Sequence, residues 1–68
     1  MTLEQLSPGV LFTVLNDKSG EVYMRGSFSE PHLIRAHQIF PGAALHEMLF
    51  SVEVKQVYIT DITIAEVE

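Results

Sequence analysis

The chain has 68 residues, 4 basic and 9 acidic, for a formal net charge of -5 with its three histidines neutral; 47% of it is hydrophobic and 19% charged. That composition is globular rather than disordered, the length allows a single domain over residues 1–68, and the absence of cysteine excludes a disulfide framework or a thiolate metal cage. No apolar run is long enough to span a bilayer and no charged segment leads into an apolar leader, so the expected location is cytoplasmic. A domain this short buries only about 60% of the surface its unfolded chain exposes. Added stability is therefore expected from self-association or from a larger protein partner.

Thr2-Leu3-Glu4-Gln5 has the spacing of a capping box and could start one helical turn, but Ser7-Pro8-Gly9 stops it at once, so residues 2–6 read as a short turn or helical cap. Residues 10–15 are a β run, rich in branched and aromatic side chains. Asn16-Asp17-Lys18-Ser19-Gly20 is a turn, and residues 21–28 return as the second strand of a hairpin. Pro31 lacks the N–H that a central strand would donate and marks the next break.

Residues 33–40 form a third strand, closed by the turn signal Pro41-Gly42. Residues 45–54 then alternate, with Met48, Phe50, Val52 and Val54 on one face and Leu49 among the polar residues of the other. Lys55-Gln56 reads as an interruption before a β-branched segment over residues 57–67. Five short strands joined by tight turns, with no helix beyond one turn, predict a small all-β antiparallel barrel. Its expected core is Val10, Phe12, Val14, Val22, Met24, Ile34, Ala36, Phe50, Val52 and Val57.

Leu6-Ser7-Pro8-Gly9 leading to Leu11-Phe12, followed by Val22-Tyr23-Met24-Arg25, resembles the opening of short SH3-like barrel proteins of phages and bacteria. The resemblance covers residues 3–60 and implies a five-stranded barrel; residues 61–68 extend beyond it and are expected to add a C-terminal strand. Most proteins of that kind have no assigned activity, so the resemblance bears on fold more than on function. Where that family's third strand carries an Asn and a glycine turn, this chain has Arg35-Ala36-His37 and Pro41-Gly42.

Three chemistries are open to these residues. His32, His37 and His46 are the candidate metal ligands. A two-residue loop at Pro41-Gly42 would set His37 opposite His46, whereas a four-residue loop would set it opposite Met48. No short zinc-type spacing is present, so neither metal nor cofactor is expected. The acids lie mostly in turns or on polar strand faces, and the serines lack a nucleophile-elbow context, which argues against an enzyme. Nucleic-acid binding requires clustered cations. Only Lys18, Arg25, Arg35 and Lys55 are available, and Tyr23, Arg25 and Arg35 would be the contacts.

What remains is surplus apolar surface, since a barrel has one interior. Leu11, Leu15, Leu49 and Tyr58 fall opposite the better core set, and Ile62 and Ile64 extend past the expected end of the barrel. These six are the expected interface residues of a non-enzymatic protein-interaction module that docks on a larger host or phage protein. A β-branched last strand also invites pairing with a second copy, so a homo-oligomer is expected.

Overall fold

A computed structural model describes residues 1–17, 20–60 and 63–67, with side chains as far as residue 58. Leu3–Gln5 is one turn of 3-10 helix, in which the Oε1 of Gln5 accepts the Thr2 N–H at 2.8 Å. Six strands follow: β1 Leu11–Val14, β2 Val22–Glu30, β3 Leu33–Phe40, β4 Ala44–Leu49, β5 Val54–Thr60 and β6 Thr63–Val67. They form one antiparallel sheet in the order β4-β3-β2-β1-β5-β6, so the chain is all-β. Among the described residues no ladder joins β4 to β5 or β6, and the sheet is not closed by hydrogen bonds.

Alternation along the strands sorts the sheet into two faces. Phe12, Tyr23, Ile34, Ala36 and Val54 point inward with Leu3 and Leu6, and Val10, Val14, Met48, Phe50 and Val52 pack around them. Phe12 and Tyr23 are cross-strand partners whose rings stack at 5.5 Å. Val22 and Val57 are also buried. Met24 is not part of the core: opposite Leu11 and His37, it lies on the outward face and is exposed. Tyr23 takes the inward position beside it, so the buried residue of the Val-Tyr-Met run is aromatic rather than aliphatic.

The fourth strand ends at Leu49, not Val54. The Val52 N–H turns back to the Leu49 carbonyl at 3.1 Å, and the Phe50 N–H bonds the His32 carbonyl at 3.0 Å. The carbonyls of Phe50 and Val52 accept the N–H groups of Glu4 and Leu3 at 3.0 and 2.9 Å, and the Val54 N–H donates to the Met1 carbonyl at 2.8 Å. Backbone groups that would have continued β4 are thus satisfied by the N-terminal segment, which lays Leu3 and Leu6 over the core. Val54 opens β5, and Lys55 and Gln56 are interior to that strand, paired with Thr13 and Phe12. The expected last segment folds as the hairpin of β5 and β6, with Ile59 opposite Ile64.

The register of β2 against β3 shifts between Arg25↔Ala36 and Phe28↔Ile34, a bulge that bends the long second strand. Gly26 sits in the bulge. A Cβ there would lie 3.1 Å from the Arg35 Cβ, the Arg35 carbonyl oxygen and the His37 Nε2. Two of those atoms belong to the neighbouring strand's frame and cannot swing aside. Gly26→Ala is expected to destabilise the fold by about 1–2 kcal/mol through overpacking. It should appear as a lower urea midpoint with an unchanged m value, and an unchanged midpoint would refute the close approach.

Candidate interaction surface

The Pro41–Ala43 loop joins β3 to β4 in a register that matches neither sequence expectation. Gln38 pairs with Ala44, His37 with Leu45 and Ala36 with His46. Gly42 takes a φ of 131°, open to glycine at no steric cost, and the loop is three residues long. His37 and His46 therefore occupy opposite faces of the hairpin and do not meet. His46 Nε2–H donates to Gln38 Oε1 at 2.9 Å, and its ring meets the Tyr23 edge at 5.4 Å across the small Ala36. His32 lies near Phe50, in the turn before β3. Among the described residues no group of three or more His, Asp or Glu side chains converges as a metal site.

The residues named for nucleic-acid contact are dispersed. Tyr23 is buried against Phe12, which removes its face from stacking with a base. Its hydroxyl donates to Glu21 Oε1 at 3.0 Å. Burial, that hydrogen bond and the charges of Glu21 and Asp17 push its pKa up to about 12. Arg25 is inward-facing and buried, whereas Arg35 is exposed on the outward face with Nη1 donating to Ser27 Oγ at 3.3 Å.

The raised Tyr23 pKa has a measurable consequence. The unfolded tyrosine releases its proton near pH 10 and the folded one only near 12. Across that window the unfolded state binds fewer protons than the native state, so stability falls as pH rises, by roughly 1.4 kcal/mol per pH unit at most. The contribution is fully present below pH 10 and is lost by about pH 12. An absorbance titration of the phenolate should show a step near the upper limit that Tyr23→Phe removes. A step that stays in the variant would contradict the buried placement.

The expected interface residues divide into groups. Leu11 and Tyr58 come together: with Gly9, Val10, Gln56 and Val57 they line an open groove of about 300 Å³ between the start of β1 and the middle of β5. Gln56 Nε2 donates to the exposed Tyr58 hydroxyl at 3.3 Å. Leu15 is half-buried after β1. Leu49 is 57% exposed on the edge strand β4. Ile62 lies outside the described residues, and Ile64 is described only as a backbone position in β6.

Sequence reasoning missed the rest of the apolar surface. Leu45, 60% exposed, shares the outward face of β4 with Leu49. Ile39 and Phe40 are exposed at the end of β3 on the same hairpin. The alternation that singled out Leu49 carries Leu45 on the same face, so that signal was in the sequence. Phe40 was not legible. The register shifts between Val22↔Phe40 and Tyr23↔Gln38, and the Phe40 side chain is 52% exposed although it has the parity of Ile34 and Ala36.

Pairing around the sheet sets Leu45 beside His37, His37 beside Met24, and Met24 beside Leu11. The outward face thus carries a row of mostly apolar side chains from β4 to β1. No helix of the described residues is long and apolar enough to cross a membrane. No protein-family model matches this chain, and neither a curated protein nor a solved structure shows significant similarity to it.

Proposed function

We propose that the chain is a non-enzymatic protein-interaction module, an accessory protein of phage or bacterial type that docks on a larger protein through the β3–β4 hairpin. One observation carries this reading: Ile39, Phe40, Leu45 and Leu49 are all exposed on a single hairpin whose outer strand is an edge of the sheet. Single exposed apolar residues are ordinary, but a cluster of large ones at an unpaired edge is the composition of a contact surface. The edge backbone of β4 adds a template for strand pairing.

We read the sheet as a short SH3-like barrel. Support comes from its connectivity: β1 to β4 run as a meander, β5 returns to pair with β1, and the bent β2 curls the sheet over its core. The N-terminal segment lies along the β4–β5 connection, through Thr2↔Glu53 and the bonds to Phe50 and Val52. A second copy pairing with β6, the other end strand, remains the proposed route to a homo-oligomer.

Leu45→Ser combined with Leu49→Ser tests the docking surface. Both side chains are exposed, so thermal stability should change by no more than about 0.5 kcal/mol. Retention of a defined protein from a cell extract by the original chain, lost with the double variant, supports the reading. Salt-sensitive retardation of an oligonucleotide by the purified protein would favour the nucleic-acid alternative instead. Sedimentation of the full chain against one ending at Thr60 separates self-association through β6 from docking through β4.

A further inference from the structure

Arg25 is the one charged residue buried among the described residues, at 7% exposure. A buried arginine is normally paired with a carboxylate, because an unpaired charge is costly to remove from water. No ion pair of Arg25 is found among the described residues. Nη1 donates to the carbonyl of the adjacent Gly26 at 2.7 Å, while Nε is enclosed and has no hydrogen-bond partner. The guanidinium carbon lies 5.4 Å from the centroid of the Phe28 ring, within cation–π range. Phe28 itself is 46% exposed, an aromatic wall at the surface beside a cation that the described fold does not neutralise.

We propose that Arg25 and Phe28 form a receptor for a single carboxylate, the side chain of an aspartate or glutamate presented by a protein partner. An incoming carboxylate supplies the counter-charge that the described residues lack, and charge-assisted bonds to a guanidinium are the strong members of their class. Phe28 supplies apolar contact for the stem of the acidic residue. A polyanion is the poorer occupant. The chain's net charge of -5 opposes a run of phosphates far more than one acidic side chain, and Tyr23, the other aromatic on this strand, is buried. The site rests on the protein-interaction reading and names the contact group of the partner. It lies on the inward face of β2, opposite Ala36, and so is separate from the outward face of the β3–β4 hairpin.

The enclosed Nε–H gives a direct probe, because its ¹⁵N–¹H signal reports on this one guanidinium. The full-length protein is titrated with an acetylated and amidated tripeptide, Ala-Asp-Ala, and with its Ala-Asn-Ala counterpart. Single-stranded oligonucleotide serves as the third probe. The expected result is a saturable shift of the Arg25 Nε–H and the Phe28 ring signals with the aspartate peptide only. The apparent affinity should fall at least threefold in Phe28→Ala, whose exposed ring can be removed without opening the core. Arg25→Met, which keeps the aliphatic stem, should abolish the Phe28 response.

No saturable shift with the aspartate peptide, equal shifts with both peptides, or a stronger response to the oligonucleotide would each overturn the proposal. Loss of partner capture in the Leu45 and Leu49 double variant is a separate readout. Either reading can therefore fail while the other stands.

Discussion

Phe12→Ala is expected to cost about 3–5 kcal/mol, which would remove most of the stability of a domain this small. The side chain is fully buried at the centre of β1, the strand that joins the two halves of the sheet. It stacks on Tyr23 of β2 and lies opposite Gln56 of β5, so its loss leaves a void at the point where three strands meet. At roughly 4–8 °C per kcal/mol for a chain of this length, the melting temperature should fall by at least roughly 12 °C. Thermal unfolding followed by far-ultraviolet circular dichroism measures this directly. A drop of only a few degrees would mean that the core is centred elsewhere.

The second large effect concerns the N-terminal segment. Leu3 is fully buried although it sits in a single turn of 3-10 helix ahead of the first strand. Its backbone N–H bonds Val52 and its side chain packs in the same cluster as Phe12, Ile34 and Val54. Leu3→Ala should destabilise by about 2–4 kcal/mol, comparable with a residue in the middle of a strand. Glu4→Ala, at an exposed position of the same turn, is the control and should stay within about 0.5 kcal/mol. Equal, small effects from both substitutions would show that residues 1–6 are a dispensable arm. A large effect from Leu3 alone would establish them as part of the core.

Stability and binding are expected to separate in this molecule. Leu45 and Leu49 are 60% and 57% exposed in the monomer, so their replacement should be read in partner retention rather than in melting temperature. Arg25 stands between the two classes. Its stem is buried, but part of its hydrogen-bonding capacity is unused by the described residues. The same sequence-level signal, an arginine two residues after a tyrosine in a strand, is compatible with a surface contact or with a buried cation. Only the packing of Phe28 and the main-chain bonds joining Arg25 to Gly9 and Val10 distinguish them.

Features under local stereochemical control were legible in the amino-acid pattern. Turn residues at Asn16, Gly20, Pro31 and Pro41-Gly42 bound β1, β2 and β3, and β-branched and aromatic alternation assigns Phe12, Ile34 and Ala36 to the inward face. The exposure of Leu49 and Tyr58 follows from the same alternation. Tertiary structure decided the rest. Where β4 ends depends on N–H groups of Leu3 and Glu4 arriving from the far end of the chain to bond Val52 and Phe50, and no pattern within residues 45–54 records that competition. The loop at Pro41-Gly42 is compatible with several registers. Packing of Tyr23 against His46 over Ala36 accompanies the one that places His37 and His46 on opposite faces. Met24 and Tyr23 exchange their expected roles because the inward position opposite Phe12 falls to the tyrosine, whose ring stacks there while its hydroxyl reaches Glu21. In each case contacts between residues distant in sequence select among the alternatives that local pattern leaves open.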